Sequence, residues 1–212
     1  MTGRRGGRKT AALACAALAA YALVVRAGQL QWGSTDHEAT KPLPGDELLE
    51  RADLSATRAI TIGATAAEVW PWIAQIGQGK GGFYSYDVLE NLIGCNIHSA
   101  DRILLEHQEV EAGDAVHLHP RVALLVVGCA PRHSLVLRGG VPLSGAAPPY
   151  DFTWAFVLEE RPDGSTRLLA RERYLYTRWW TPLLVEPVGA MSGVMSRKML
   201  RGIRDRAERQ AR

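Results

Sequence analysis

The chain has 212 residues, 47% of them hydrophobic, and a formal net charge of +3. It can form one domain of about 150 residues with extra segments and bury a real core. The basic excess sits at the two ends without base-stacking aromatics, which argues against nucleic-acid binding. Arg4, Arg5, Arg8 and Lys9 open the chain, and Arg197, Lys198, Arg201, Arg204, Arg206, Arg209 and Arg212 close it. Cys15, Cys95 and Cys129 have neither metal nor disulfide-framework spacing. Cys95 and Cys129 read as buried free thiols, with a bond between them as the alternative.

Residues 11–25, AALACAALAAYALVV, carry no charge and lie between a basic stretch and Arg26. As a helix they reach roughly 22 Å, short of the roughly 30 Å hydrocarbon core. An extension to Trp32 completes a span if Arg26 snorkels to the interface. The expectation is an uncleaved membrane anchor with the domain outside the cytoplasm. The alternative is a signal peptide cut at Ala20-Tyr21-Ala22, with secretion of the remainder. The chain then divides into residues 1–32, basic segment and anchor; 33–56, a tether broken by Pro42, Pro44 and Gly45; and 57–210, the folded domain.

Within that domain, alternating Ile60 and Ile62 predict a strand over 57–62. Thr65 and Glu68 have capping-box spacing ahead of a helix running to about Ile76, with Pro71 in its middle. Gly77, Gly79, Gly81 and Gly82 make a flexible loop. A short helix follows over about 86–93, stopped at Gly94. Strands are expected over 115–118, 122–127 and 134–138. Residues 150–159 and 165–174 flank Arg161-Pro162-Asp163-Gly164, a turn signal that predicts a hairpin. The Gly/Pro-rich residues 139–149 read as a rim or flap. The last helix covers about 184–209, with Val188, Met191, Met195, Met199, Leu200 and Ile203 on one apolar stripe. Gly189, Gly193 and Gly202 let that helix approach a curved sheet closely. The order is α+β. A curved sheet cannot cover both its own concave face and a long helix without leaving a gap, and the gap is a cavity.

The stretch from Val69 to Arg102 holds most of the candidate chemistry. Trp72, Phe83, Tyr84 and Tyr86 supply apolar walls, and Asp87, Glu90, Asn91, His98 and Arg102 supply polar groups, as a ligand pocket needs. Asp87, Glu90 and Asn91 share one helical face. Asp87 or Glu90 at a cavity mouth suits a general base; the plainer reading is a cap and a solvated glutamate. His98 with Asp101 suits acid–base work, or a hydrogen bond that locks the loop. Arg102 pairs with Asp101 or with a ligand carboxylate. Trp154 shares a strand face with Phe156, and Arg171 shares another with Arg173. Trp154 is read as core packing or as pocket wall. Trp179 and Trp180 meet a membrane interface or close one cavity end. His117 and His119 are too few for zinc, so no metal is expected. No nucleophile elbow, phosphate loop, zincin helix or dinucleotide fingerprint occurs, so no cofactor is expected.

The run GFYSYDVLENLIGCNIHSADRI at 82–103, with PLPGDELL at 42–49 and ATRAITI at 56–62, resembles a bacterial subgroup of the superfamily of START domains, polyketide cyclases and Bet v 1-like proteins. The resemblance covers roughly residues 40–210. It implies a helix-grip fold, in which a curved antiparallel sheet wraps a long C-terminal helix. It implies a small hydrophobic ligand, lipid-like or polyketide-like, in the cavity. Phe83, Tyr84, Tyr86, Trp72, Asn91, Arg102, Trp154, Tyr174, Met191 and Met195 would line or border that cavity, with adaptable methionines on the helix side. The chain is then expected to be a membrane-tethered binding protein. The alternative is an enzyme of cyclase or dehydratase type using Asp87, Glu90 or His98.

Overall fold

A computed structural model describes residues 26–92, 94–140 and 148–212. The elements are α1 (Asp36–Thr40), β1 (Leu54–Ile62), α2 (Ala66–Ala74), α3 (Asp87–Leu92), β2 (Ala115–His119), β3 (Val122–Ala130), β4 (Ser134–Gly139), β5 (Tyr150–Glu160), β6 (Thr166–Tyr176) and α4 (Thr181–Gln210). The six strands form one curved antiparallel sheet in the order β1-β6-β5-β4-β3-β2. The fold is α+β, with the long C-terminal helix α4 packed inside the curve.

Local chemistry accounts for the main elements. The β5–β6 hairpin closes at Arg161-Pro162-Asp163-Gly164, where Gly164 takes φ 80° and Asp163 accepts from the Ser165 N–H and hydroxyl. Helix α2 follows Thr65, whose N–H and hydroxyl both donate to the Glu68 carboxylate at 2.8 Å. Helix α4 starts at Thr181, earlier than the stripe predicts. Pro182 fits its first turn, and the buried Thr181 hydroxyl donates to the Pro149 carbonyl at 2.8 Å.

Strand β6 shows how the two sheet faces are used. Leu168, Ala170 and Tyr174 join the main core under α4, together with Met199, Leu200 and Ile203. Leu169 faces the other way and packs with Leu43, Ala59 and Val157. Arg167, Arg171 and Arg173 also point outward. Arg167 pairs with Glu38 at 2.7 Å. Arg171 pairs with Asp46 at 2.5 Å and donates to the carbonyls of Glu38, Ala39 and Lys41. The segment 33–56, read from sequence as a tether, is therefore folded: residues 33–53 lie over the outer face of the sheet and 54–56 begin β1. Glu38 anchors them, and its carboxyl is pulled down to about 2 by the Arg167 guanidinium.

Gly202 permits the close approach expected of the glycines in α4, though its neighbour is a loop. A Cβ there would stand 2.3 Å from the Tyr84 carbonyl oxygen. Gly193 faces the Arg58 side chain. Gly202→Ala is expected to destabilise the protein by about 1–3 kcal/mol, the range for overpacking. Thermal unfolding checks it; a change within experimental error would show that helix and loop separate freely.

The expected anchor, residues 11–25, lies outside the described residues. So do residues 141–147, most of the expected rim. No helix among the described residues is long and apolar enough to cross a membrane.

Candidate functional site

The stripe on α4 runs from solvent into the core. Val188 and Met191 are exposed, Met195 is half-buried, and Met199, Leu200 and Ile203 are buried. Between the first half of this stripe and the sheet lies a cavity of about 360 Å³. Helix α4 contributes Val188, Met191, Ser192, Met195, Ser196 and Met199. The sheet and its edges contribute Leu118, Leu124, Gly140, Tyr150, Phe152, Trp154, Glu172 and Tyr174. Phe83, Ser85, Glu90 and Cys95 close the third side. Trp154 stacks obliquely on Phe156 and Phe83, with centroids 4.7 and 6.3 Å apart.

Two carboxylates face this apolar space, in opposite situations. Glu172 stands opposite Trp154 in the β5–β6 register. It accepts from Arg58 at 2.7 Å, from the Ser192 hydroxyl at 2.9 Å, from Ser196 at 3.0 Å and from the Tyr174 hydroxyl at 3.3 Å. Burial, with Glu172 adding to it, raises the Tyr174 phenol far above its ordinary value. Arg58 Nε donates in turn to the Gln29 carbonyl, so residues 26–30 close the back of the cluster. Glu90 is 3% exposed, and neither carboxylate oxygen has a hydrogen-bond partner. Burial, and secondarily the charge of Asp87, pushes its carboxyl up to about 7. Trp154 Nε1 is a buried donor without a partner on the same cavity wall.

The sequence-predicted residues separate cleanly. Phe83, Glu90, Trp154, Tyr174, Met191 and Met195 line the cavity; Trp72, Tyr84, Tyr86, Asp87, Asn91, His98 and Arg102 are outside its lining. Trp72 and Tyr84 are core, meeting edge to face at 5.8 Å. Tyr86 is 40% exposed. Asp87 accepts from both the N–H and hydroxyl of Ser99, and the Asn91 amide brackets Ile97. These two pin the loop at residues 97–99 to α3, the helix that carries Glu90. His98 and Arg102 are exposed, and Asp101 pairs with Arg206 at 2.9 Å. Trp179 is exposed and Trp180 half-buried at the start of α4, away from the lining. Cys95 and Cys129 are both free. Among the described residues no group of three His, Cys, Asp or Glu is placed to hold a metal.

Glu172, Ser192, Ser196 and Arg58 are the part of the site that residue-by-residue reading passes over. Strand alternation carries a signal for Glu172. It lies between Arg171 and Arg173, on the face that holds Leu168, Ala170 and Tyr174.

No family model matches the chain, and no curated protein matches it. Solved structures do. Hypothetical protein jhp0584 of Helicobacter pylori is 13% identical, with 81% of this chain and 95% of that one covered, at a TM-score of 0.53. That likeness shows a shared fold. Protein MLL2253 of Mesorhizobium loti is 11% identical over 74% of this chain and 98% of its own, at 0.46. CalU16 of Micromonospora echinospora is 16% identical over 73% and 84%, at 0.35.

Proposed function

We propose that this protein is a helix-grip member of the START, polyketide cyclase and Bet v 1-like superfamily. It binds a small hydrophobic or amphipathic molecule between α4 and the sheet. The observation that carries this reading is the cavity itself. A space of about 360 Å³ with apolar walls and a few convergent polar groups has the size and chemistry that ligand sites have. The element order and the run at 82–103 support the superfamily.

A tether through residues 11–25 fits the same picture. Arg26, the residue after that segment, pairs with Glu186 at 2.5 Å on the cavity-bearing half of α4. That half exposes Leu183, Val188 and Met191, and Trp179 is exposed just before it. A cavity mouth on that side would meet a bilayer, and the ligand would enter from it.

Native mass spectrometry of the full chain, released from detergent, tests the binding role. A co-purifying lipid or aromatic molecule is expected, and Met195→Trp, which puts an indole into the cavity, is expected to empty it. Recovery of wild type reproducibly empty, with no thermal shift across a lipid and polyketide panel, would sink the reading.

Glu90 favours one alternative, an enzyme of cyclase or dehydratase type. A carboxyl poised near neutrality and aimed into an apolar cavity is suited to proton transfer. Turnover of a polyketide-type substrate that Glu90→Gln abolishes without weakening binding would decide for it.

A further inference from the structure

We propose that the ligand of this cavity is an organic cation, a basic nitrogen carried on a ring-sized apolar body, held by Glu90. The inference rests on the cavity-binding reading above and adds the chemical class of the ligand.

The charged groups of the lining are the starting point. Glu90 and Glu172 line the cavity, and no Lys, Arg or His among the described residues does. Glu172 is answered within the protein by Arg58, Ser192 and Ser196. It is complete before a ligand arrives. Glu90 is different. It is buried, it borders the cavity, and both its oxygens lack donors. Leaving a buried carboxylate without donors is expensive, so a fold that keeps one there gains when a partner fills the space beside it.

Three ligand types can be compared at that spot. A carboxylate or phosphate would add a like charge to a cavity already holding two acidic groups. A hydroxyl offers one proton and leaves the charge of Glu90 unanswered. An ammonium answers the charge and supplies several donors, and charge-assisted bonds of that kind are the stronger ones. The walls point the same way. Phe83, Phe152 and Trp154 present aromatic rings to the space, and ring faces attract cations in desolvated sites. Trp154 Nε1 remains as a donor for an oxygen on the ligand body.

The test uses a matched trio with one bicyclic body: 1-naphthylmethylamine, 1-naphthalenemethanol and 1-naphthoate, titrated calorimetrically into the full chain at pH 7.5. The amine is expected to bind about tenfold tighter than the alcohol, the step an added charge-assisted contact gives, and the carboxylate weakest. Glu90→Gln and Glu90→Met are expected to level amine and alcohol while the alcohol still binds. Equal binding of all three to wild type, or an amine preference that survives both variants, overturns the inference and leaves the cavity reading standing. Binding of none of the three overturns both.

Discussion

Arg58→Met is expected to lower the free energy of unfolding by about 3–5 kcal/mol, the cost of stranding one partner of a buried ion pair. Arg58 and Glu172 have 1% and 4% of their side chains exposed and meet at 2.7 Å. Methionine fills similar space, so packing loss is small; the loss is the countercharge. Glu172 would keep Ser192, Ser196 and Tyr174 as donors, and none of these carries a charge. The Gln29 carbonyl would lose its donor as well, so residues 26–30 should become sensitive to protease. The double variant R58M/E172Q removes both charges and is expected to recover much of the stability, because a neutral amide can use the two serines. A urea-denaturation double-mutant cycle measures the coupling. Additive losses would mean that the pair does not act as a unit.

How much of this is legible in the chain depends on how local the cause is. The β5–β6 hairpin is legible because Pro162 and Gly164 dictate a turn inside four residues. The start of α2 is legible because Thr65 and Glu68 satisfy each other. The Arg58–Glu172 pair spans 114 residues, and nothing near either residue announces the other. Residues 33–56 look like a tether because Pro42, Pro44 and Gly45 forbid long elements. Their order comes from Arg167 and Arg171, more than a hundred residues on. Helical periodicity places Asp87, Glu90 and Asn91 on one face, yet they divide the work. Asp87 and Asn91 spend their polar atoms on Ser99 and Ile97, and Glu90 alone turns to the cavity. Tyr84 and Tyr86 both read as pocket wall. Tyr84 adopts φ 55°, a conformation uncommon for a tyrosine, and lies buried beneath Gly202 while Tyr86 stays outside. Backbone contact with a distant helix holds that conformation, and sequence spacing does not encode it.

Glu90→Gln is expected to stabilise the ligand-free protein by about 2–3 kcal/mol at pH 8 and to leave it unchanged at pH 4. The sign follows from where the proton sits. The folded protein holds the Glu90 proton up to about pH 7, because burial penalises the charge, and the unfolded chain releases it near the ordinary value of 4.5. Below pH 4.5 both states are protonated and the site costs little. Between 4.5 and 7 the unfolded state loses its proton first, so stability falls as pH rises, and above 7 the full penalty is present. The groups around Glu90 are Asp87 on its own helix, Cys95 just beyond Gly94, and Glu172, Tyr150 and Tyr174 across the cavity, with no cation among the lining residues to offset them. Glu38 works in the opposite direction: its contribution is whole above about pH 4.5 and is lost as pH falls from there toward 2, equally in wild type and Glu90→Gln, so it cancels in the comparison. Urea midpoints for wild type and Glu90→Gln at pH 4, 6 and 8 trace the difference. Parallel curves would mean that Glu90 is solvated in the folded state. A naphthylmethylammonium bound beside Glu90 should flatten the wild-type slope, because it binds the ionised form and supplies the donors that the empty cavity lacks. The same carboxyl that weakens the empty protein above neutrality would thereby strengthen the filled one.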